Sequence, residues 1–156
     1  MTGDARIRSV VVMTNIRALN WRLIIGLGAL ALIRPLVRIA ESGLGIENRP
    51  AVPVILTVVI SIVWIAVVGL SANPAPVPTL LFAGLAYGVL SIVLSGILSP
   101  IIDGHLDGPL ANPIAIVPAL LINAVWGTAA GGVALALQHA RGIRPSTTPR
   151  GESGGE

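Results

Sequence analysis

Three polar residues alternate in a short segment between two long apolar runs. Asp103, His105 and Asp107 occupy every second position, so an extended loop would direct all three side chains to one side. One imidazole and two carboxylates are compatible with zinc, manganese or magnesium. The set lacks a fourth ligand, and aspartate beside glycine is equally typical of a tight turn. We therefore expect a turn without a bound metal, and keep a metal site as the alternative.

A second group of charged residues lies near the end of the first apolar run. Arg34, Arg38 and Glu41 are spaced four and three residues apart, which places them on one face of a helix. A charged residue inside a membrane span is costly and marks a functional-site candidate. One interpretation is structural, with Asp103 or Asp107 pairing with Arg34. The other is capture of an anionic ligand or a lipid headgroup.

Small residues recur at helical spacing in the last two apolar runs. The first of these two faces holds Gly84, Gly88, Ser91 and Ser95, and the second holds Asn123, Gly127 and Gly131. Small faces let two membrane helices approach closely. We expect the faces to pack together, with Asn123 bonding across the seam. The alternative is a narrow ligand or ion path whose candidate residues are Arg34, Arg38 and Asn123, with hydroxyls from Thr57, Ser61, Ser91, Ser95 and Thr128.

The elements that position these residues are membrane-spanning helices. The 156 residues are 54% hydrophobic and only 11% charged, whereas soluble domains carry about 25% charged residues. A helix of about 25 residues rises ~37 Å and crosses a ~30 Å hydrocarbon core. We predict an all-α fold, a bundle of four antiparallel transmembrane helices, with spans at about 21–40, 52–72, 78–99 and 113–137.

The connections and ends complete this architecture. Arg34-Pro35 interrupts the first span and predicts a kink, because proline removes a backbone hydrogen bond. The short connection 73–77 predicts that spans two and three are antiparallel neighbours. Residues 1–20 form an N-terminal segment, and the polar residues 139–156 read as a disordered tail. The apolar part of the first span also fits the hydrophobic core of a signal peptide.

Arginine placement predicts the orientation. With four spans, both termini lie on one side, together with seven of the ten basic residues. Membrane proteins retain such positive charge in the cytoplasm, so we expect a multi-pass protein of the cell membrane with both termini cytoplasmic. The seven are Arg6, Arg8, Arg17, Arg22, Arg141, Arg144 and Arg150.

Two families of small four-span proteins share features with this chain. The run Gly26–Arg34 resembles the glycine-rich first helix of fluoride channels, and Leu121–Gly127 resembles their Asn-bearing segment. That segment belongs to the second span of the family but occurs here in the fourth, and Phe82 is the only phenylalanine, so the family's paired pore phenylalanines are missing. Small multidrug exporters need an acidic residue embedded in the first span, and no span interior here contains one. The sequence therefore assigns neither family.

The functional expectation follows from the chemistry that the sequence offers. It contains no cysteine, no phosphate-binding loop and no recognisable nucleophile–base pair. We expect a non-enzymatic membrane protein without a cofactor that acts through contacts with lipid or a membrane partner. The partners would be membrane lipids, a second copy or another membrane protein, and no nucleic acid. The alternative is a small oligomeric transporter or channel with Arg34 and Asn123 in its path, and an enzyme using Asp103, His105 and Asp107 comes third.

Overall fold

Four apolar helical spans form the part of the chain that the structure describes. The computed structural model describes residues 19–43, 51–102 and 104–143, and within these ranges it contains no strand. The α-helices are α1 (Trp21–Ala31), α2 (Ile33–Gly43), α3 (Ala51–Leu70), α4 (Pro76–Ile102) and α5 (Ile116–Ala140), with 3₁₀ turns at Gly108–Leu110 and Pro113–Ala115. The spans long and apolar enough to cross a membrane are Trp21–Glu41, Ala51–Leu70, Pro76–Ile102 and Pro113–Ala140. The predicted all-α four-helix membrane bundle is confirmed.

The terminal segments named in the sequence analysis fall largely outside the described residues. This holds for residues 1–18 of the N-terminal segment and for residues 144–156 of the tail. The tail was expected to begin at residue 139, but α5 continues to Ala140. Gly142 then adopts a φ of 73°, a left-handed conformation that favours glycine and ends the helix.

Asparagine side chains organise two of the helix starts. The Oδ1 atom of Asn20 accepts a hydrogen bond of 3.2 Å from the backbone N–H of Leu23 and so caps α1. Before α4, Oδ1 of Asn73 accepts from the N–H of Ala75 at 2.9 Å. The Nδ2 of Asn73 also donates to Oγ1 of Thr79 at 3.2 Å. These bonds fix the tight turn at 71–75, which reverses the chain between α3 and α4.

The α4–α5 contact is the most extensive in the bundle. Along it, residues 77, 80, 84 and 88 of α4 lie beside residues 131, 127, 123 and 120 of α5, so the two helices are antiparallel. Helix α1 packs on another side of α4, and α3 packs chiefly against α5. Spans two and three are in contact and antiparallel, as expected from their short connection, but their contact is small beside that of α3 with α5. The 71–75 turn reverses the chain, but α3 leans towards α5, where Trp126 donates to Ser61 at 3.1 Å.

The first span is divided where the sequence places Arg34-Pro35. Helix α1 ends at Ala31, and α2 begins at Ile33. Pro35 has no N–H to give to the carbonyl of Ala31, so the helical hydrogen-bond ladder loses one bond at this point. The N–H of Leu32 turns to the carbonyl of Ala29 at 3.0 Å. Beyond the break, α2 makes its contacts with α3 and α1, which leaves space between α2 and α4.

Candidate functional site

The glycine faces of α4 and α5 lie directly against each other. A Cβ placed on Gly84 would lie 3.4 Å from the Cα of Gly127 and would overlap the carbonyl oxygen of Asn123. One placed on Gly131 would lie 2.7 Å from the Cα of Val77. At Gly88 the space is taken by Leu120 and Asn123, at 3.0 and 3.3 Å. The backbones thus approach to a distance that only glycine permits.

Asn123 does not bond across this seam as the sequence analysis expected. Its Nδ2 donates to the carbonyl of Ala119, in its own helix, at 2.8 Å. The reason is the closeness of the two helices. The backbone carbonyl of Asn123 faces Gly84, and the side chain of Asn123 faces Gly88, which has no side chain to accept a hydrogen bond. The prediction of a cross-helix hydrogen bond is wrong, although Asn123 does lie at the seam.

The two serines of the same predicted face have a different position. Ser91 and Ser95 line a cavity of about 620 Å³ between α2, α4 and α5, together with Arg34, Arg38 and Asn123. We call this space the α2 cavity. It extends from Gly88, near the middle of α4, to Ile102 and the start of the following loop. Ligand pockets in proteins measure about 300–1,000 Å³, so the α2 cavity has the size of a ligand site.

Two smaller cavities adjoin the α2 cavity. One of about 140 Å³ is lined by Thr57, Trp64 and Trp126, and one of about 180 Å³ lies between α2 and α3, beside Glu41. Arg34 and Tyr87 line all three cavities, and Asn123 lines two of them. Tyr87 was not a predicted site residue, but its position four residues before Ser91 places it on the same helical face and could have indicated its role.

The hydroxyls of the predicted polar path do not all converge. Ser61 bonds to the carbonyl of Thr57 at 2.6 Å, and Thr57 bonds to the carbonyl of Pro53 at 2.7 Å. Thr128 bonds to the carbonyl of Ala124 at 2.8 Å and is exposed on the other side of α5. Ser61 and Thr128 line none of the three cavities, so the converging set is Arg34, Arg38, Ser91, Ser95 and Asn123.

Asp107 does not form the ion pair with Arg34 that was one expectation from the sequence. Its carboxylate instead lies 3.0 Å from Nε2 of His105, in the exposed loop. Within the described ranges, Arg34 and Arg38 have neither an ion pair nor a hydrogen bond. Both guanidinium groups therefore line the α2 cavity without a compensating contact from the described residues. Pairing of Arg34 with Asp103 stays a prediction, because Asp103 lies outside those residues.

The candidate metal site is likewise only partly visible. His105 and Asp107 are in contact, but Asp103, the third residue of the set, is not described. Elsewhere in the described residues, no three histidine, aspartate or glutamate side chains cluster. The loop contains Gly104 and Gly108 with φ values of 72° and 81°, which is the turn chemistry that the sequence favours.

We compared the chain with protein-family models, curated proteins and solved structures. None of them matches it.

Solvent access to the α2 cavity can be tested by thiol labelling. The chain contains no cysteine, so a single introduced thiol reports on its own surroundings. We expect Ser91→Cys to react quickly with a water-soluble maleimide. Ala83→Cys, on the same helix at 0% exposure, should stay unlabelled until the protein unfolds. Equal protection of both thiols would contradict solvent access to the α2 cavity.

Proposed function

We propose that this membrane protein is non-enzymatic and acts by holding a lipid or a membrane partner, and that the α2 cavity is the contact site. One observation carries the proposal. A cavity of about 620 Å³ lies between α2, α4 and α5, and both arginines of α2 line it. The cavity lies directly beside the break in the first span, since Arg34, Pro35 and Arg38 of α2 line it.

The same proposal includes an orientation. In the sequence, seven of the ten arginines fall within the first 22 residues or after α5, a distribution that favours cytoplasmic termini in the cell membrane. The α2 cavity adjoins Ile102 and residues 107–109, at the opposite end. On this assignment, the cavity is reached from the outer leaflet. An accessibility assay on Ser91→Cys in oriented vesicles tests the sidedness.

Native mass spectrometry of the detergent-purified protein tests the contact function. We expect the wild type to carry a bound lipid or other small-molecule mass that survives mild activation. Ser91→Trp fills the α2 cavity and should lose that mass. The matched control is Val89→Trp, two residues away on an exposed face of α4, which should retain it. A wild type without a bound mass, or equal occupancy in both variants, would contradict the proposal.

A transporter or channel is the second candidate, and the cavity of about 140 Å³ favours it. That cavity is lined by Thr57, Trp64 and Trp126 and shares Arg34 and Asn123 with the α2 cavity, so the two residues of the proposed path stand between two spaces of the bundle. Four short helices enclose little volume, so transport would involve an oligomer. Anion flux into liposomes that falls in Arg34→Gln and Asn123→Ala would support transport, and flux equal to that of empty liposomes would contradict it.

A further inference from the structure

The side chains of the α2 cavity include several hydrogen-bond donors that no described residue uses. Most polar side chains inside the spans bond to their own helix, as Thr57, Ser61, Ser99 and Asn123 do. The cavity donors differ. The hydroxyls of Ser91, Ser95 and Tyr87 and the guanidinium groups of Arg34 and Arg38 have no partner in the part of the chain that the structure describes.

These uncommitted groups share one chemical character. Arginine only donates and stays charged, and serine and tyrosine hydroxyls can each donate a hydrogen bond. Two carboxylates of the described residues lie nearby. Asp107 lines the cavity, but its side chain is exposed and pairs with His105, and Glu41 lies in the adjoining cavity between α2 and α3. The interior of the α2 cavity thus offers positive charge and donors to a ligand.

Position strengthens the charge effect. Arg34 is seven residues before Glu41, the end of the first span, which places it about 10 Å inside that end at 1.5 Å per residue. Low polarity around a site strengthens the attraction between opposite charges. Arg34 has no partner among the described residues. An unpaired arginine at this depth is costly, and an anion that enters the cavity would remove much of that cost.

We propose that the α2 cavity binds a phosphate-type oxyanion, an inference that rests on the proposed contact function and names its ligand. A phosphate group offers several acceptor oxygens, and the arginine fork matches them in pairs. The cavity is also lined by Ile92, Leu98 and Ile102, so it has apolar surface beside the donors. This combination fits the phosphate of a lipid headgroup together with the first part of its acyl chains. Free phosphate shares the same recognition chemistry.

The experiment compares three probes on the detergent-purified full chain. They are a short-chain phosphatidic acid, the matching short-chain diacylglycerol and inorganic phosphate, and each is titrated while the melting temperature is followed. A ligand that binds only the folded state raises this temperature with its concentration. We expect phosphatidic acid to stabilise the wild type and diacylglycerol to have no effect.

The variants assign the effect to the cavity. Arg34→Gln and Arg38→Gln should each weaken phosphatidic acid binding about tenfold or more, the loss of one charge-assisted hydrogen-bonding group. Arg22→Gln is the matched control, because Arg22 is exposed on α1 and lines none of the three cavities. If Arg34→Gln does not fold, Arg38→Gln and the comparison of probes on the wild type still decide the question.

Each outcome has a distinct meaning. Stabilisation by phosphatidic acid alone supports a lipid source, and equal stabilisation by inorganic phosphate supports a free oxyanion. Equal stabilisation by diacylglycerol would overturn the oxyanion inference but leave the contact function standing, because the cavity would then hold lipid without using charge. No stabilisation by any probe would also overturn the inference, and the bound mass in native spectrometry would separately judge the proposed function.

Discussion

Gly127→Val is expected to separate α4 from α5 and to destabilise the bundle by about 3 kcal/mol, near the upper end for over-packing substitutions. A Cβ at position 127 would overlap the carbonyl oxygen of Leu80 and lie 3.0 Å from its carbonyl carbon. It would also lie 3.1 Å from the Cα of Leu81. These are backbone atoms of the facing helix, so no side-chain rotation can make room and the helices must move apart.

Thermal unfolding in detergent, followed by size-exclusion chromatography, measures this effect. Gly132→Val is the matched control, since it introduces the same β-branched residue into the same helix. A Cβ at Gly132 has no atom within 4 Å, so we expect this variant to melt close to the wild type. Equal loss of stability in both variants would show that the effect comes from valine in the helix and not from the α4–α5 seam.

The spans and the small-residue faces could be foreseen because both depend on local sequence. Long uncharged runs must form helices in lipid, where every backbone group needs an internal partner. Residues at spacings of four, three and four must share one helix face. Arg34-Pro35 likewise predicts a break from proline chemistry alone. None of these features depends on which helix packs against which.

The α2 cavity could not be foreseen, because it depends on the direction that α2 takes after its break. The spacing that places Gly84, Gly88, Ser91 and Ser95 on one face fits tight packing over its whole length. In the structure the face is divided, with the glycines against α5 and the serines beside the space that α2 leaves. The predicted hydrogen-bond partner of Asn123 was wrong for a related reason, since the closeness of two helix backbones is a tertiary property.

Gln138 shows the same limit at the opposite end of the bundle. In the sequence it is the first polar residue after a long apolar run, next to the predicted tail. In the structure it is 2% exposed, and its side-chain amide donates to the carbonyl of Val68 in α3, seventy residues earlier in the chain. Neither periodicity nor composition predicts contacts at such separation.

Gln138→Met is the second substitution with a large expected effect. The Nε2 of Gln138 lies 3.0 Å from the carbonyl oxygen of Val68, 2.9 Å from that of Ser71 and 3.1 Å from that of Asn73. The amide has two hydrogens, so one of them is shared between two acceptors. Together these bonds fasten the end of α3 and the 71–75 turn to α5.

Methionine keeps the length of the side chain but donates nothing, so the partly buried carbonyls of Ser71 and Asn73 lose this donor. Net hydrogen bonds contribute about 1 kcal/mol each, and an unsatisfied buried acceptor costs about 1–3 kcal/mol, so we expect a loss of about 2–4 kcal/mol. Because Ser71 also donates to the carbonyl of Val68, at 2.9 Å, the loss should fall mainly on Ser71 and Asn73. The backbone amides of the 71–75 turn should therefore exchange hydrogen faster than in the wild type, before the rest of the bundle opens.

The neighbouring residue supplies the control for this prediction. His139→Met changes an exposed side chain of the same last turn of α5 and should leave both the melting temperature and the exchange of the turn unchanged. Gln138→Glu should be worse than Gln138→Met, because it aims carboxylate oxygens at carbonyl oxygens in a buried place. If Gln138→Met melts like the wild type, Arg141, which donates to the carbonyl of Leu70 at 2.8 Å, would be sufficient to hold α3 and α5 together at this end.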